Sequence, residues 1–458
     1  MNQKCFRSIN PTTEETLGEF TIFTEDELDL RLRSARITQQ NWVRQTLEHR
    51  ANLIRALGRE IQKCAEEAGR LVTTEMGKPI AQARAEVDKC AHLCDYYADR
   101  AEQFLTPRPA ERNTSSRSYV RFDPLGVVLA IMPWNFPFWQ VIRFAVPTLL
   151  AGNTTLLKHA SNVLGCATMI ERLFREAGFP PGCLASLVVS RDQVSELISH
   201  PDVRAITLTG SEGAGRAVAE EAGRNLKKCV LELGGSDPFI VLPDADLERT
   251  VEKGVFARMQ NTGQSCIAAK RFIIHDDIYD RFVEAYVARM KTLKMDDPLD
   301  VSTEVGPMAR EDLLTELHDQ VSESIEQGAV CALGGKRAER PGYFYQPTVL
   351  KDVTPGMAAF EEETFGPAAA LIRAKDEKTA LEMANRSSFG LGASLWTNDV
   401  KRAEELASQI ESGSVFINEP TRSDATVPFG GVKNSGYGRE LAEFGIHEFV
   451  NVKTVWVS

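Results

Sequence analysis

From residue 127 onward, short apolar runs of strand length alternate with stretches of helical spacing, and the alternation starts afresh at Gly234. The first round predicts strands at 127–131, 153–158, 185–189 and 205–209, with helices at 138–150, 163–177, 194–199 and 213–224. The second predicts strands at 239–242, 271–275, 368–373 and 413–418, and helices at 247–259, 278–293 and 311–327. The strand runs are continuously apolar, Val127-Val128-Leu129-Ala130-Ile131 most clearly. Such strands need cover on both faces, and strands separated by helices pair in parallel. The expectation is an α/β fold with two parallel sheets, each flanked by helices. At 458 residues the chain can fill two or three cores of this kind.

The first hundred residues read differently. Helical spacing runs through 25–40, 48–63, 65–76 and 80–103, with Thr24 placed as an N-cap and Gly77-Lys78-Pro79 as a break. Residues 117–122 alternate as a strand does, and the tail at 447–457 is strand-like.

Composition narrows the function classes. A net charge of -11 argues against a partner, such as nucleic acid, that needs a general basic surface. No apolar stretch is long and unbroken enough to span a membrane, and the N-terminus leads into no signal core, so the expected location is cytoplasmic. The nine cysteines are scattered and odd in number, which speaks against a disulfide framework. The seven histidines form no metal-ligand cluster, and no metal is expected.

Two residues stand out chemically. Cys266 comes after a polar turn, Asn261-Thr262-Gly263-Gln264-Ser265, where most cysteines sit among apolar neighbours. Glu232 interrupts the apolar run Val230-Leu231-Glu232-Leu233-Gly234-Gly235, and a carboxylate in such a strand needs a partner or a task. Cys266 is a candidate nucleophile and Glu232 a candidate base. The stretch Thr209-Gly210-Ser211-Glu212-Gly213-Ala214-Gly215 comes after a strand and opens a helix, a setting suited to a pyrophosphate, although it lacks a full G-x-G-x-x-G.

Seven stretches in order carry a resemblance: Pro133-Trp134-Asn135-Phe136-Pro137, Leu157-Lys158, Thr209-Gly210-Ser211, Glu232-Leu233-Gly234-Gly235, 261–266, Glu363-Thr364-Phe365-Gly366-Pro367 and 428–436. With these the chain resembles the aldehyde dehydrogenase superfamily over essentially its whole length. The resemblance implies a dinucleotide-binding domain at 1–111 and 126–233, a catalytic domain at 234–435, and a small β oligomerisation arm at 112–125 and 436–458. It implies Cys266 as nucleophile, Glu232 as the base that activates water, and Asn135 as an oxyanion donor. For the cofactor it implies Ile131, Trp134, Lys158, Ser161, Gly210, Ser211, Gly215, Leu233, Glu363 and Phe365. NAD-preferring relatives often carry Glu where this chain has Ser161, so the expected cofactor is NAD or NADP. A homodimer or homotetramer is implied.

Within the superfamily the chain most resembles bacterial succinate-semialdehyde dehydrogenases. Arg143 lies at the spacing of the arginine that grips the substrate's distal carboxylate there, and Arg pairs with carboxylates in two-pronged fashion. Two positions depart from the pattern: Gln260 stands where many relatives have a second Arg, and Ala268 where some have a second Cys. Arg422 or Ser423, in a loop that supplies a substrate-binding Ser in relatives, is expected to replace the missing contact. The competing readings are a dehydrogenase for a neutral or aromatic aldehyde, with Phe138 and Trp139 lining its pocket, a Cys-dependent hydrolase, and a silent binding protein.

Overall fold

A computed structural model describes residues 4–110 and 117–457. The expected boundary at 111/112 and the first residues of the expected arm, 112–116, lie outside the described residues.

The first round of alternation folds into a six-stranded sheet. In spatial order its strands are Gly436–Tyr437, Lys228–Glu232, Val203–Thr209, Val127–Met132, Thr154–His159 and Leu184–Leu187. All neighbours are parallel except the Gly436–Tyr437 edge, whose Gly436 faces Glu232. The chain starts in the middle at Val127–Met132, moves outward to one side, then returns to lay Val203–Thr209 on the other. That reversal opens a crevice beyond the carboxyl ends of the two central strands. Strand Val127–Met132 shows why both faces are apolar: Val128, Ala130 and Met132 enter one core, while Val127 and Leu129 enter the opposite one.

The second round forms a seven-stranded sheet in the order Val330–Leu333, Thr348–Lys351, Ala368–Ala374, Ala269–His275, Asp237–Val241, Gly392–Trp396 and Ser414–Ile417. Only the first pair is antiparallel. Side chains again alternate between two cores: Ile240, Ile273 and Leu395 on one face, Phe239, Phe272 and Trp396 on the other.

Before both sheets come an antiparallel hairpin, Cys5–Ile9 with Thr16–Thr21, and the helices Glu25–Trp42, Leu47–Lys63, Ala65–Met76 and Ile80–Leu105. Thr24 caps the first of these in a reciprocal capping box with Glu27. Such a cap contributes about 1 kcal/mol.

A three-stranded sheet joins Val450–Val457, Arg117–Pro124 and Arg108–Pro109. Two segments pair outside the groupings expected of them. Gly436–Tyr437, expected in the arm, edges the six-stranded sheet, and Arg108–Pro109, expected with the dinucleotide-binding segment, pairs with Arg117–Pro124. In both cases backbone polar groups that would otherwise go unpaired find partners on an open strand edge. The tail also contains the helix Ala442–His447. Among the described residues, no helix is long and apolar enough to cross a membrane.

Candidate active site

One cleft of about 450 Å³ lies between the two larger sheets. The first sheet lines it with residues just past the carboxyl ends of its strands: Pro133 to Asn135 after Val127–Met132, Thr209 to Glu212 at the end of Val203–Thr209, and Leu233 with Gly234 after Lys228–Glu232. The second sheet lines it with residues just ahead of its strands: Cys266 before Ala269–His275, Glu363 and Phe365 before Ala368–Ala374. Carboxyl ends of one sheet thus face amino ends of the other.

Cys266 reaches the cleft through a strained turn. Helix Leu247–Met259 leads into Asn261 at φ 55°, Thr262 at φ 57° and Gly263 at φ 75°. A non-glycine residue held there costs on the order of 1–3 kcal/mol. Several contacts offset that cost. The Asn261 backbone N–H donates to Gln82 Oε1 at 2.7 Å, and its side-chain amide donates to the carbonyls of Asn135 at 2.8 Å and Gln264 at 3.0 Å. Thr262 Oγ1 accepts from the Gly306 N–H at 2.9 Å. Arg258, fully buried, donates to the carbonyls of Gly263 at 2.7 Å, Thr364 at 3.2 Å and Gly366. It thereby ties the Cys266 turn to the Glu363–Phe365 loop. A side chain at position 263 would run into the Gly366 carbonyl, so only glycine fits.

Asn135 is equally constrained. Its Nδ2 donates to the Gln264 carbonyl at 3.0 Å, and its Oδ1 accepts from Gln140 Nε2 at 3.1 Å. The turn that carries it is pinned from below. Buried Glu86 accepts the N–H groups of Phe138 at 2.9 Å and Trp139 at 3.0 Å, and pairs with buried Lys78. His159 Nε2 donates to the Pro137 carbonyl at 2.9 Å, and its Nδ1 accepts from the Ala160 N–H at 3.0 Å. That arrangement suits a neutral ring, and burial pushes the imidazole down to about 4.

The charges of the site are mostly enclosed. Burial pushes the Cys266 thiol up to about 12, with Lys270 pulling the other way. Lys270 donates to the carbonyls of Cys266 at 2.7 Å and Ser265 at 3.0 Å, and lies 3.4 Å from Glu363. Glu363 also accepts the Gly235 N–H at 3.0 Å. Glu232 is buried with neither oxygen hydrogen-bonded, and it does not line the cleft. Its carboxylate lies beside Gly430, where an added Cβ would stand 2.7 Å from Oε1. Burial and the neighbouring Glu440 hold its pKa well above the usual carboxylate range, against Arg143 and Arg439.

The expected dinucleotide residues fall into two groups. Trp134, Gly210, Ser211, Leu233, Glu363 and Phe365 line the cleft, with the Trp134 and Phe365 rings edge to face at 5.8 Å. Ser211 caps helix Glu212–Arg224, and Gly215 packs so closely on Leu233 that a Cβ would lie 2.6 Å from its methyls. A helix N-terminus, an aromatic wall and a carboxylate on one cleft fit a dinucleotide. Ile131, Lys158 and Ser161 lie outside this lining, on Val127–Met132, on Thr154–His159 and in the turn after it. Burial lowers the Lys158 pKa, and nearby Arg191 lowers it further.

The expected substrate residues do not line the cleft either. Arg143 is buried on helix Trp139–Leu150, paired with Glu440 and lying 4.7 Å over the Phe429 ring. Arg422 is 61% exposed and 3.8 Å from Glu419. Ser423 is buried, and its Oγ accepts from Trp139 Nε1 at 3.0 Å and Lys89 Nζ at 2.8 Å. Lys89, Glu86, Gln140, Arg258, Lys270 and Glu440 carry no role in the residue pattern alone. Lys270 has the one usable signal among them, four residues after Cys266 and just past the apolar run Ile267-Ala268-Ala269. Among the described residues no group of three or more His, Cys, Asp or Glu side chains could hold a metal ion.

The Aldehyde dehydrogenase family matches residues 1–455. A succinate semialdehyde dehydrogenase [NAD(P)+] of Escherichia coli is 50% identical over 449 residues, covering 98% of this chain and 97% of the relative. A succinate-semialdehyde dehydrogenase [NADP(+)] of Mycobacterium tuberculosis is 49% identical over 453 residues, covering 98% and 99%. The crystal structure of a succinic semialdehyde dehydrogenase from Streptococcus pyogenes, in complex with NADP+, superposes with a TM-score of 0.96 at 38% identity, covering 98% of this chain and 99% of that one. With Cys266, Asn135 and Glu363 gathered on one cleft between two parallel sheets, and with that likeness along nearly its whole length, the chain belongs to the aldehyde dehydrogenase family.

Proposed function

We propose that the protein oxidises succinate semialdehyde to succinate with NAD or NADP as acceptor, through a covalent intermediate on Cys266. The observation that carries this reading is the meeting of Cys266 with the fixed Asn135 amide and Glu363 on one cleft. The Cys266 thiolate adds to the aldehyde carbon and gives a thiohemiacetal. One Asn135 N–H is engaged by Gln264, leaving the other, with the Cys266 N–H, for the new oxyanion. When bound along Trp134, Ser211, Glu363 and Phe365, the nicotinamide cofactor supplies the acceptor for the hydride that leaves the thiohemiacetal carbon. The resulting thioester is cleaved by water, and Glu232, once swung from its place beside Gly430 toward the cleft, takes the proton. Its raised pKa suits that task. The sum is aldehyde, water and oxidised cofactor to carboxylate, reduced cofactor and two protons. The buried Arg143, one helical turn beyond Trp139 and already paired with Glu440, adds positive potential beside the substrate's carboxylate end without contacting it.

For the assembly, the reading divides the chain into a dinucleotide-binding domain, a catalytic domain and a β arm. The arm's outer strand, Val450–Val457, leaves one edge open and exposes Val452 and Trp456. A second copy would cover that edge, giving a dimer or tetramer. Light scattering on the eluting protein tests this, and a monomer would refute it.

The substrate test is initial-rate NADH and NADPH formation with succinate semialdehyde, glutarate semialdehyde, hexanal and benzaldehyde. Semialdehydes are expected to give the highest kcat/KM. Preference for hexanal or benzaldehyde would overturn the substrate while leaving the family intact.

A further inference from the structure

Lys89 sits in an unusual position for a lysine on a long helix. Its ammonium lies 4.0 Å over the Trp139 ring and donates to the Ser423 carbonyl at 2.6 Å and Ser423 Oγ at 2.8 Å. Among the described residues it forms no ion pair within 4 Å. The acids whose charge reaches it, Asp424 and Glu86, are engaged elsewhere. Asp424 accepts from Thr426, and Glu86 holds Lys78 and the N–H groups of Phe138 and Trp139. Burial, reinforced by the Arg143 guanidinium, lowers the Lys89 pKa to about 8. A largely buried ammonium without a counter-ion is costly, and a ligand carboxylate relieves that cost.

Its neighbours place this cation near the reaction centre. Trp139 and Arg143 are four residues apart on one helix face, so Lys89, Trp139, Arg143 and Ser423 form one cluster. Gln140, next to Trp139, lines the cleft with Cys266 and holds Asn135. Asn135 in turn is fixed to the Gln264 carbonyl, two residues before Cys266. Arg143 already has a carboxylate in Glu440, whereas Lys89 has none. Of the two cations, Lys89 is the one free to take a new anion.

We propose that Lys89 is a specificity-determining residue that receives the carboxylate at the far end of a semialdehyde substrate, over the face of Trp139 and beside Ser423. This rests on the substrate class proposed above. The carboxylate would take one of the ammonium's three N–H groups, with Ser423 keeping the others. Selectivity arises because a neutral aldehyde of the same length leaves the charge uncompensated.

The test compares wild type, Lys89→Met and Lys89→Arg on succinate semialdehyde and butanal, a neutral aldehyde of equal chain length. Lys89→Met is expected to lower the ratio of the two kcat/KM values at least tenfold, chiefly through KM for the semialdehyde. Lys89→Arg is expected to recover most of the ratio. If Lys89→Met lowers both substrates in parallel, the role is structural and the proposal is overturned; an unchanged ratio overturns it as well. If wild type itself favours butanal, the substrate class has failed and the proposal falls with it, whereas a semialdehyde preference retained in Lys89→Met sinks Lys89 alone. A second measurement covers the event that Lys89→Met does not fold. Succinate is expected to inhibit wild type competitively and at least tenfold more tightly than butyrate, and Lys89→Gln to lose that difference. Equal inhibition of wild type by both acids would refute the proposal.

Discussion

Arg143 and Glu440 meet as a buried ion pair, one on helix Trp139–Leu150 and the other just before the helix at Ala442–His447. Both side chains are almost wholly enclosed, so neither charge has water as an alternative partner. Glu440 also lies close enough to Glu232 to raise its pKa. Replacing Glu440 by Gln leaves Arg143 buried without its partner. The expected loss of stability is about 3–5 kcal/mol, read by urea unfolding. It also removes a like charge from Glu232, so the Glu232 pKa falls and the acidic limb of the kcat–pH profile moves to lower pH. A limb that stays in place, or moves up, would show that Glu440 does not tune this base.

The Cys266 thiol gives a second expectation. Burial pushes it up to about 12, while Lys270 favours the thiolate. Well below its pKa, the thiolate fraction grows roughly tenfold for each pH unit. Alkylation of Cys266 by iodoacetamide, tracked at its own peptide, should therefore keep rising from pH 7 through pH 9. Lys270→Met should slow it by about tenfold, one pKa unit being 1.36 kcal/mol. A plateau reached by pH 8 would mean that the thiol is far more acidic than its surroundings imply.

His159 links the site to acid stability. Folding lowers its pKa from 6.5 to about 4. The unfolded chain therefore binds a proton that the folded protein refuses. The neutral ring's contribution is complete above pH 6.5 and drains away as pH falls toward 4, by up to ~3 kcal/mol. Urea unfolding of wild type and His159→Gln at pH 7 and pH 4.5 measures it. Wild type should lose more stability between those values than the variant, and equal losses would contradict the assignment.

Much of this architecture can be read from residue pattern alone, for a physical reason. Strands covered on both faces must be apolar throughout, so 127–131 and 271–275 are visible as strands, and helices 65–76 and 247–259 end where their spacing predicts. The cleft residues Ser211 and Cys266 are visible because they sit in polar turns at strand ends, whereas Asn135, in a Pro-rich apolar turn, and Glu363, in an acidic run, are marked only by the family resemblance. The strand Gly392–Trp396 is not, since Gly392 and Ser394 break its apolar run. Nor are Lys89, Arg258 and Glu440. A buried charge is indistinguishable from a solvated one until its distant partner is known, and Lys89 meets Ser423 across 334 positions of chain. The pattern puts the Glu232 side chain at the reaction centre, but its rotamer turns it toward Gly430, and sequence carries no rotamer.

Cofactor choice is expected to depend on charges beyond the end of strand Thr154–His159. Lys158 lies there with its ammonium largely enclosed, and Arg191, at the start of helix Arg191–Ser199, is near enough to lower its pKa. Two neighbouring cations repel each other, and an anion between them relieves the repulsion. Ser161, exposed in the next turn, adds no opposing carboxylate. A 2′-phosphate on the adenosine ribose is an anion suited to that place, while a free 2′-hydroxyl gains less from it. NADP is therefore expected to show the lower KM. Ser161→Glu should lower kcat/KM for NADP by roughly a hundredfold, near 2.7 kcal/mol for one like-charge contact, and change the value for NAD far less. Arg191→Ala should act in the same direction and more weakly, because the charge it removes is exposed and screened by salt. Initial rates with both cofactors at saturating aldehyde measure the ratio. If Ser161→Glu weakens NAD and NADP alike, the adenosine end binds elsewhere and these cations have another role.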